Sequence, residues 1–269
     1  MPNAAPSTTR ERDLLGKEPP GGYEDWSHRK REPRALALMW LIFLMAASAA
    51  MFSRLSIGYS ITPSLSRPAA TEMLAIVIIG ACVLYPMLRL SQALPMPSAV
   101  ASGVRDWFVL VIPLQAVLWP NRLVVLGGWS GEVILTLGAH GAAWITLVVG
   151  IVAVTLALAG VTGRPVLMRA LGMGAIIMAS LAAPVLEMLT RYGAGVGVMN
   201  THLGWMLSPV TGVLEITRDR SVLGAPAVVT SAQLRIIAGV ACVGLGLVLV
   251  AGAIERRVPL ADRRMSPYA

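Results

Sequence analysis

The stretch from Ala35 to Ser53 reads ALALMWLIFLMAASAAMFS and contains no charged residue. Arg34 precedes it and Arg54 follows it. At a rise of about 1.5 Å per residue, a helix of this length covers roughly 30 Å, the thickness of a bilayer's hydrocarbon core. Because lipid offers the backbone no hydrogen bonds, a single segment crosses it only as a helix. This stretch therefore predicts an integral membrane protein.

The composition of the whole chain extends this prediction. Hydrophobic residues make up 56% of the 269 residues and charged residues only 13%, whereas soluble domains carry about 25% charged residues. We expect an all-α fold, a polytopic transmembrane helical bundle of about six spans. After the first span, the expected spans are Met73–Leu88, Trp107–Trp119, Ala142–Gly160, Val166–Leu189 and Ile236–Ile254.

Two of these spans leave alternatives open. The third is short, and Pro113 and Gln115 interrupt it. Continuing it to Leu126 gives sufficient length but requires Arg122 to snorkel or to face a polar cavity, and a broken helix is the alternative. Before the fourth span, the apolar residues 133–137 either extend its helix or form a re-entrant turn.

The chain ends and the charge pattern predict the topology. Residues 1–27 are rich in Pro, Gly, Ser and mixed charge, which predicts a flexible, disordered cytoplasmic tail. Residues 28–257 form the expected six-span membrane domain, and residues 258–269 a cytoplasmic C-terminal tail. Basic residues are more frequent in the segments assigned to the inner side, so both termini are expected in the cytoplasm, with the protein in a bacterial inner membrane.

Few residues in this chain carry recognisable chemistry. Cys82 and Cys242 lie inside apolar runs and are interpreted as packing residues, and the three histidines show no spacing typical of metal ligands. His140, just before the fourth span, is expected to be a polar anchor at the membrane interface. No nucleophile with a base and no carboxylate pair is visible, so we expect neither an enzyme nor a cofactor. The net charge of +8 is dispersed through the loops, which argues against nucleic-acid binding.

Small residues recur at a spacing of four in the last two spans. On one helix face such residues let two backbones approach closely. We expect these helices to pack together or against a second copy of the protein, although the frequency of Ala and Gly in this chain explains the pattern equally well. The residues concerned are Ala175, Ala179 and Ala183 in the fifth span and Ala238, Cys242 and Gly246 in the sixth.

The segment between these two spans is unusually apolar from Leu203 to Leu214. Ser208 and Pro209 should interrupt any helix there, because proline disfavours a helical conformation in the preceding residue. One interpretation is a re-entrant or amphipathic helical hairpin that dips into the outer leaflet and buries Trp205. The other is a loop lying across the bundle.

The order of these features resembles the membrane subunit of type-2 ABC exporters. That family shows six spans, a charged N-terminal segment, a short connection after the second span and an outer apolar segment before the last one. Residues Met206–Leu214, MLSPVTGVL, are similar to the apolar Ser-Pro or Asn-Pro segment found there. The resemblance implies that Trp26–Arg34 forms an interfacial helix. It also implies that the connection Leu90–Arg105 contacts a separate nucleotide-binding ATPase.

Within that connection, a short helix over Ser98–Val104, with Val100, Val104 and Arg105, is expected to form the contact. The chain contains no GxxxxGK[ST] motif, so ATP hydrolysis would belong to the partner. The first functional hypothesis is a permease-like subunit that moves an unknown substrate as part of a homo- or hetero-oligomer. The second is a structural or scaffolding subunit of a larger membrane complex.

Overall fold

The computed structural model describes residues 33–55, 63–91, 98–123, 126–162, 164–191, 203–219 and 227–257. These residues form seven α-helices and two short 3₁₀ turns. The predicted tails at 1–27 and 258–269 and the predicted interfacial helix up to residue 32 lie outside the described residues. The helices are α1 Pro33–Leu55, α2 Pro63–Ser91, α3 Ala99–Leu118, α4 Gly131–Thr162, α5 Pro165–Arg191, α6 Pro209–Thr217 and α7 Ser231–Arg257.

Five helices, α1, α2, α3, α4 and α7, are long and apolar enough to cross a membrane. The helix α5 has 27 residues, and its part over Pro165–Leu181 is also apolar. The short α6 lies between α5 and α7. The predicted fold class, an all-α polytopic bundle of about six spans, is therefore confirmed.

The third span differs from both alternatives that its sequence left open. α3 runs without a break through Pro113 and continues into a 3₁₀ turn over Trp119–Arg122. Its additional length lies on the N-terminal side, from Ala99 onward, rather than in an extension to Leu126. After Leu123 the chain turns, with Gly128 at a φ of 62°, a conformation in which glycine carries no steric penalty.

Pro113 lies inside α3, in a turn that α1 contacts. A proline inside a helix removes one backbone hydrogen bond and disturbs the neighbouring ones in the preceding turn. In that turn the carbonyl of Leu110 accepts a hydrogen bond of 3.0 Å from the Trp40 indole Nε1. Both residues are buried, so this bond also holds α1 against α3.

α4 lies at the centre of the bundle and packs against α2, α3, α5, α6 and α7. Its start at Gly131 shows that the apolar residues 133–137 extend the fourth helix. Its most extensive contact is with α7. A Cβ atom on Gly150 would lie 2.6 Å from the Gly244 carbonyl oxygen, so the two backbones touch at this crossing. Only glycine permits such an approach.

Large apolar side chains on the outside of the bundle are strongly exposed. Met45 on α1, Val166 on α5 and Leu249 on α7 are 72%, 79% and 75% exposed. In a membrane these faces contact lipid tails, which are as apolar as the side chains themselves. Most residues of α4 are buried, in contrast, so the interior of the bundle lies mainly between α4 and its neighbours.

Candidate functional site

The polar contacts of the bundle are concentrated at its two ends. We call the region around α6 and the start of α2 the α6 end. We call the region around the end of α2, the start of α3 and the end of α7 the Glu255 end. The name follows from Glu255 on α7, which contacts Ser98 and Ala99 at the start of α3.

The segment before α7 is helical on both sides of Ser208. A 3₁₀ turn covers Leu203–Leu207, and α6 follows with Pro209 in its first turn, where the missing amide hydrogen costs no hydrogen bond. Ser208 and Pro209 are buried and Trp205 is half-buried. This helical structure is the one expected if the segment forms a helical hairpin and not a loop across the bundle. α6 packs against α2 and α4 rather than standing apart from the bundle.

His140 holds α6 against α4. Its ring is 1% exposed, and its Nε2 lies 3.1 Å from the Pro209 carbonyl oxygen. A Cβ atom on Gly212 would lie 2.4 Å from the imidazole Cε1, so the ring rests on the backbone of α6. The expected position of His140 at the membrane interface stays a prediction, but within the protein its ring is buried against α6. Because α4 begins at Gly131, His140 lies about two and a half turns inside the helix.

Arg67, in the first turns of α2, connects three segments at the α6 end. Its Nη1 lies 2.9 Å from the Asp219 Oδ2 after α6, and its Nε donates a 2.9 Å hydrogen bond to the Gly127 carbonyl before α4. The hydroxyl group of Thr71 on α2 lies 3.3 Å from the hydroxyl group of Thr217 on α6. These bonds connect α2 to α6 and to the segment before α4.

An open cleft of about 640 Å³ lies between α2 and α6 at this end, within the usual range of small-molecule sites. Two arginines and two carboxylates contribute its charges, and Pro68, Trp205 and Leu214 contribute its apolar wall. Thr71 and Thr217 add hydroxyl groups. The cleft therefore combines both signs of charge with an apolar side. The charged lining residues are Arg67, Glu72, Arg218 and Asp219.

The Glu255 end contains a buried ion pair between α2 and α3. Arg89 Nε donates a 2.6 Å hydrogen bond to Asp106 Oδ2, and Nη2 donates a second one to Oδ1. Both side chains are 1% exposed. A buried charge requires such pairing, and the two-pronged geometry fixes the orientation of both groups.

Glu255 caps the start of α3 at the same end. Its Oε2 accepts a 2.9 Å hydrogen bond from the Ser98 hydroxyl, and its Oε1 accepts one from the Ala99 amide. Ser98 in turn accepts a 3.2 Å bond from the amide of Ala101. A carboxylate here is favoured by the partial positive charge of the helix N-terminus. The end of α7 is thereby tied to the start of α3.

The predicted contact residues for an ATPase lie in the first two turns of α3. A helix does cover the segment Ser98–Val104, with Ser98 as its N-cap, but it is the first part of the spanning helix α3 and not a separate short helix. Val104 is 47% exposed and Arg105 is exposed, whereas Val100 is half-buried near Gly252 of α7. Contact with an ATPase stays a prediction, and Val104 and Arg105 are the accessible members of the set.

The expectation that the small faces of the last two long helices pack together within one chain is corrected by the structure. Ala175, Ala238 and Cys242 are exposed, and a Cβ atom on Gly246 would meet nothing within 4 Å. Ala179 is half-buried against the core, and the Ala183 side chain lies outside the described residues. α7 instead packs against α4 through Gly244. The long apolar helix α4 is its main partner. Packing against a second copy stays a prediction.

Sequence reasoning missed the residues that form the two ends. Asp106 and Glu255 were not selected, although each stands beside a long apolar run, where a carboxylate needs a partner. The position of each carboxylate beside an apolar run was the signal from which these two residues could have been selected. The partner of Asp106 lies 17 positions away in sequence, and no helical spacing indicates it. Among the described residues, no group of three or more His, Cys, Asp or Glu side chains could hold a metal ion.

Comparison with protein-family models, curated proteins and solved structures found no match to this chain.

Proposed function

We propose that this protein is a membrane-spanning, permease-like subunit of an ABC-type export system, driven by a separate ATPase. The main support is the helical segment from Leu203 to Thr217 between the last two long helices. Its place in the chain and its interruption at Ser208 correspond to the apolar segment that type-2 exporter subunits carry before their last span. Its packing on α2 and α4 links it to the helices that would move.

A second support is the rigid construction of the Glu255 end. The Arg89–Asp106 pair joins α2 to α3, and Glu255 joins α3 to α7. A force applied at the start of α3 would therefore act on three helices as one body, as rigid-body rocking requires. Val104 and Arg105 are exposed there for contact with a partner. The substrate path would then lead toward the α6 end.

Co-purification tests this proposal directly. A tagged chain isolated from its own cells should bring down a protein that carries a GxxxxGK[ST] motif. The Val104→Asp/Arg105→Glu variant should lose that partner while inserting normally. The matched control is Leu207→Asp, which places a charge on a 49% exposed residue at the opposite end and should retain the partner.

Two results would contradict the proposal. A complex without any ATPase would favour the scaffolding subunit instead. Partner binding that is unchanged by the α3 variant, or equally reduced by Leu207→Asp, would remove the start of α3 as the contact surface. Insertion of each variant is checked by resistance to alkaline extraction of the membranes.

The proposed orientation places the Glu255 end and both termini in the cytoplasm of a bacterium. Its support is the larger number of Arg and Lys residues in the segments at that end. In a background with Cys82 and Cys242 replaced by alanine, a cysteine at position 265 should be protected from an impermeant thiol reagent in intact cells. Leu123→Cys, at a 61% exposed position of the α6 end, should be labelled. The reverse pattern would overturn the orientation.

A further inference from the structure

The cleft at the α6 end contains none of the residues proposed to contact an ATPase, and its chemistry points to a ligand of its own. Its volume of about 640 Å³ exceeds what a few water molecules need. It opens beside the first turns of a membrane-spanning helix, at Arg67 and Glu72 of α2. If α2 spans the bilayer over Ser66–Ser91, its first turns lie at the level of the lipid headgroups.

The charges of the cleft are balanced rather than of one sign. Arg67 and Arg218 face Glu72 and Asp219. Among the residues that the structure describes, two further charges of opposite sign pair with the lining, Arg54 with Glu72 and Glu215 with Arg218. A purely anionic ligand would be attracted by the two guanidinium groups but repelled by the two carboxylates. A zwitterion finds an opposite charge for each of its groups.

Two ion pairs at the cleft, Arg67–Asp219 and Arg54–Glu72, are weak enough for a ligand to replace. The side chains of Arg67 and Asp219 are 26% and 37% exposed, and those of Arg54 and Glu72 are 64% and 55% exposed. Such pairs contribute little to stability because water screens them. Arg67 would nevertheless stay in position, since its Nε is bonded to the Gly127 carbonyl. Its outer nitrogens remain oriented toward the cleft, a geometry suited to phosphate.

The apolar side of the cleft indicates that the ligand is an amphiphile. Trp205 and Leu214 line it, and Leu214 is 38% exposed. Leu207, on the same 3₁₀ turn as Trp205, is 49% exposed. Tryptophan is typical of the headgroup level of a bilayer, and exposed leucines beside it suit the first carbons of an acyl chain.

From this balance we propose that the cleft between α2 and α6 binds a zwitterionic phospholipid of the surrounding bilayer. The phosphate contacts Arg67 and Arg218, and the ammonium group contacts Glu72 and Asp219. The upper part of an acyl chain lies against Trp205, Leu207 and Leu214. Binding at this position joins α2 to α6 from the lipid side.

Native mass spectrometry of the delipidated full-length protein tests the proposal. The probes are phosphatidylethanolamine and phosphatidylglycerol with identical acyl chains. The unaltered protein should bind phosphatidylethanolamine about fivefold more tightly, the effect of one surface ion pair near the upper end of its usual range. Glu72→Gln/Asp219→Asn leaves two arginines without the cleft carboxylates, so the preference should reverse in favour of phosphatidylglycerol.

Two further variants separate this site from general surface charge. Glu132→Gln removes an exposed carboxylate at the start of α4 that does not line the cleft, and it should leave the preference unchanged. Arg218→Gln should weaken the binding of both lipids severalfold, because both carry a phosphate. Since neither measurement involves an ATPase, the result is independent of the proposed transport function.

Three outcomes would overturn the proposal. The first is equal binding of the two lipids by the unaltered protein. The second is a preference that survives in the Glu72→Gln/Asp219→Asn variant, with folding verified by circular dichroism. The third is displacement of the lipid by equimolar soluble phosphoethanolamine, which would show that the acyl chain contributes nothing and that the bilayer is not the source.

Discussion

Both ends of the bundle contain an Arg–Asp pair that joins α2 to another segment, but the two pairs differ in burial. Arg89 and Asp106 are each 1% exposed, whereas Arg67 and Asp219 are 26% and 37% exposed. In the interior neither partner has water as an alternative, so each depends on the other. At the surface, water or a ligand takes the place of either partner at little cost. Burial, rather than residue type, thus separates a structural pair from an exchangeable one.

The largest expected difference between the ends follows from removing one carboxylate at each. Asp106→Ala leaves the Arg89 charge buried without that carboxylate and should lower the free energy of unfolding by about 3–5 kcal/mol. Asp219→Ala should cost at most about 1 kcal/mol. Unfolding in mixed detergent–denaturant micelles measures both. As a control, Arg89→Leu/Asp106→Leu should be less damaging than Asp106→Ala, because no buried charge remains. An equal loss of the free energy of unfolding in Asp106→Ala and Asp219→Ala would contradict the distinction between a buried structural pair and an exposed exchangeable pair.

A second variant asks whether the α6 end depends on packing instead of charge. Gly212→Ala places a methyl group against the buried His140 ring and should destabilise the protein by about 1–3 kcal/mol. Gly239→Ala on α7, where a Cβ atom meets nothing within 4 Å, should be neutral or slightly stabilising, as alanine favours helix. Thermal unfolding in detergent measures both changes. A neutral Gly212→Ala would show that α6 shifts freely against α4.

A third variant measures the capping interaction at the Glu255 end. Glu255→Ala removes the acceptor for the Ser98 hydroxyl and the Ala99 amide and should cost about 1 kcal/mol. Hydrogen exchange should accelerate in the first turn of α3 and remain unchanged in α6. Arg256→Ala, at the exposed neighbouring position, is the control and should leave exchange in α3 unaltered. Protection of α3 that survives Glu255→Ala would contradict a capping role.

The smallest effect concerns salt. Asp219→Asn should lower stability by about 0.2–1 kcal/mol at low ionic strength, and the loss should disappear near 1 M salt because exposed charges are screened. Asp106→Asn should show a loss that salt hardly changes. Chemical denaturation with urea, which adds no charge, is the suitable measurement. A strong salt dependence at Asp106 would indicate that water reaches the buried pair.

The spans were predictable because length and hydropathy are local properties of the chain. Ala35–Ser53 lies inside α1, and Ile236–Ile254 lies inside α7. The third span was predicted least well, since Pro113 suggested a break. Trp40 contacts the turn before Pro113, and it lies 70 positions away in sequence from the Leu110 carbonyl that accepts its hydrogen bond. No local pattern reports such a contact.

The candidate sites were less predictable than the helices. Trp205, Ser208 and Pro209 were selected because a Ser-Pro step in an apolar run is visible locally, and a helical segment is found there. The small residues of the last span were selected by spacing alone. Spacing identifies a face but not whether that face is packed: Ala238 and Cys242 are exposed, and α7 contacts α4 through Gly244 instead.

The sequence by itself determined that this is a membrane-spanning helical protein, because each apolar run must satisfy its own backbone hydrogen bonds in lipid. It also located the six long helices along the chain, although α2, α3 and α4 begin eight to eleven residues before the predicted spans. Only the tertiary structure decided which charges are paired, since Arg89 meets Asp106 and Arg67 meets Asp219 through the packing of whole helices. The physical reason is that burial and charge pairing depend on distances between helices, and helical periodicity within one segment carries no information about its neighbours.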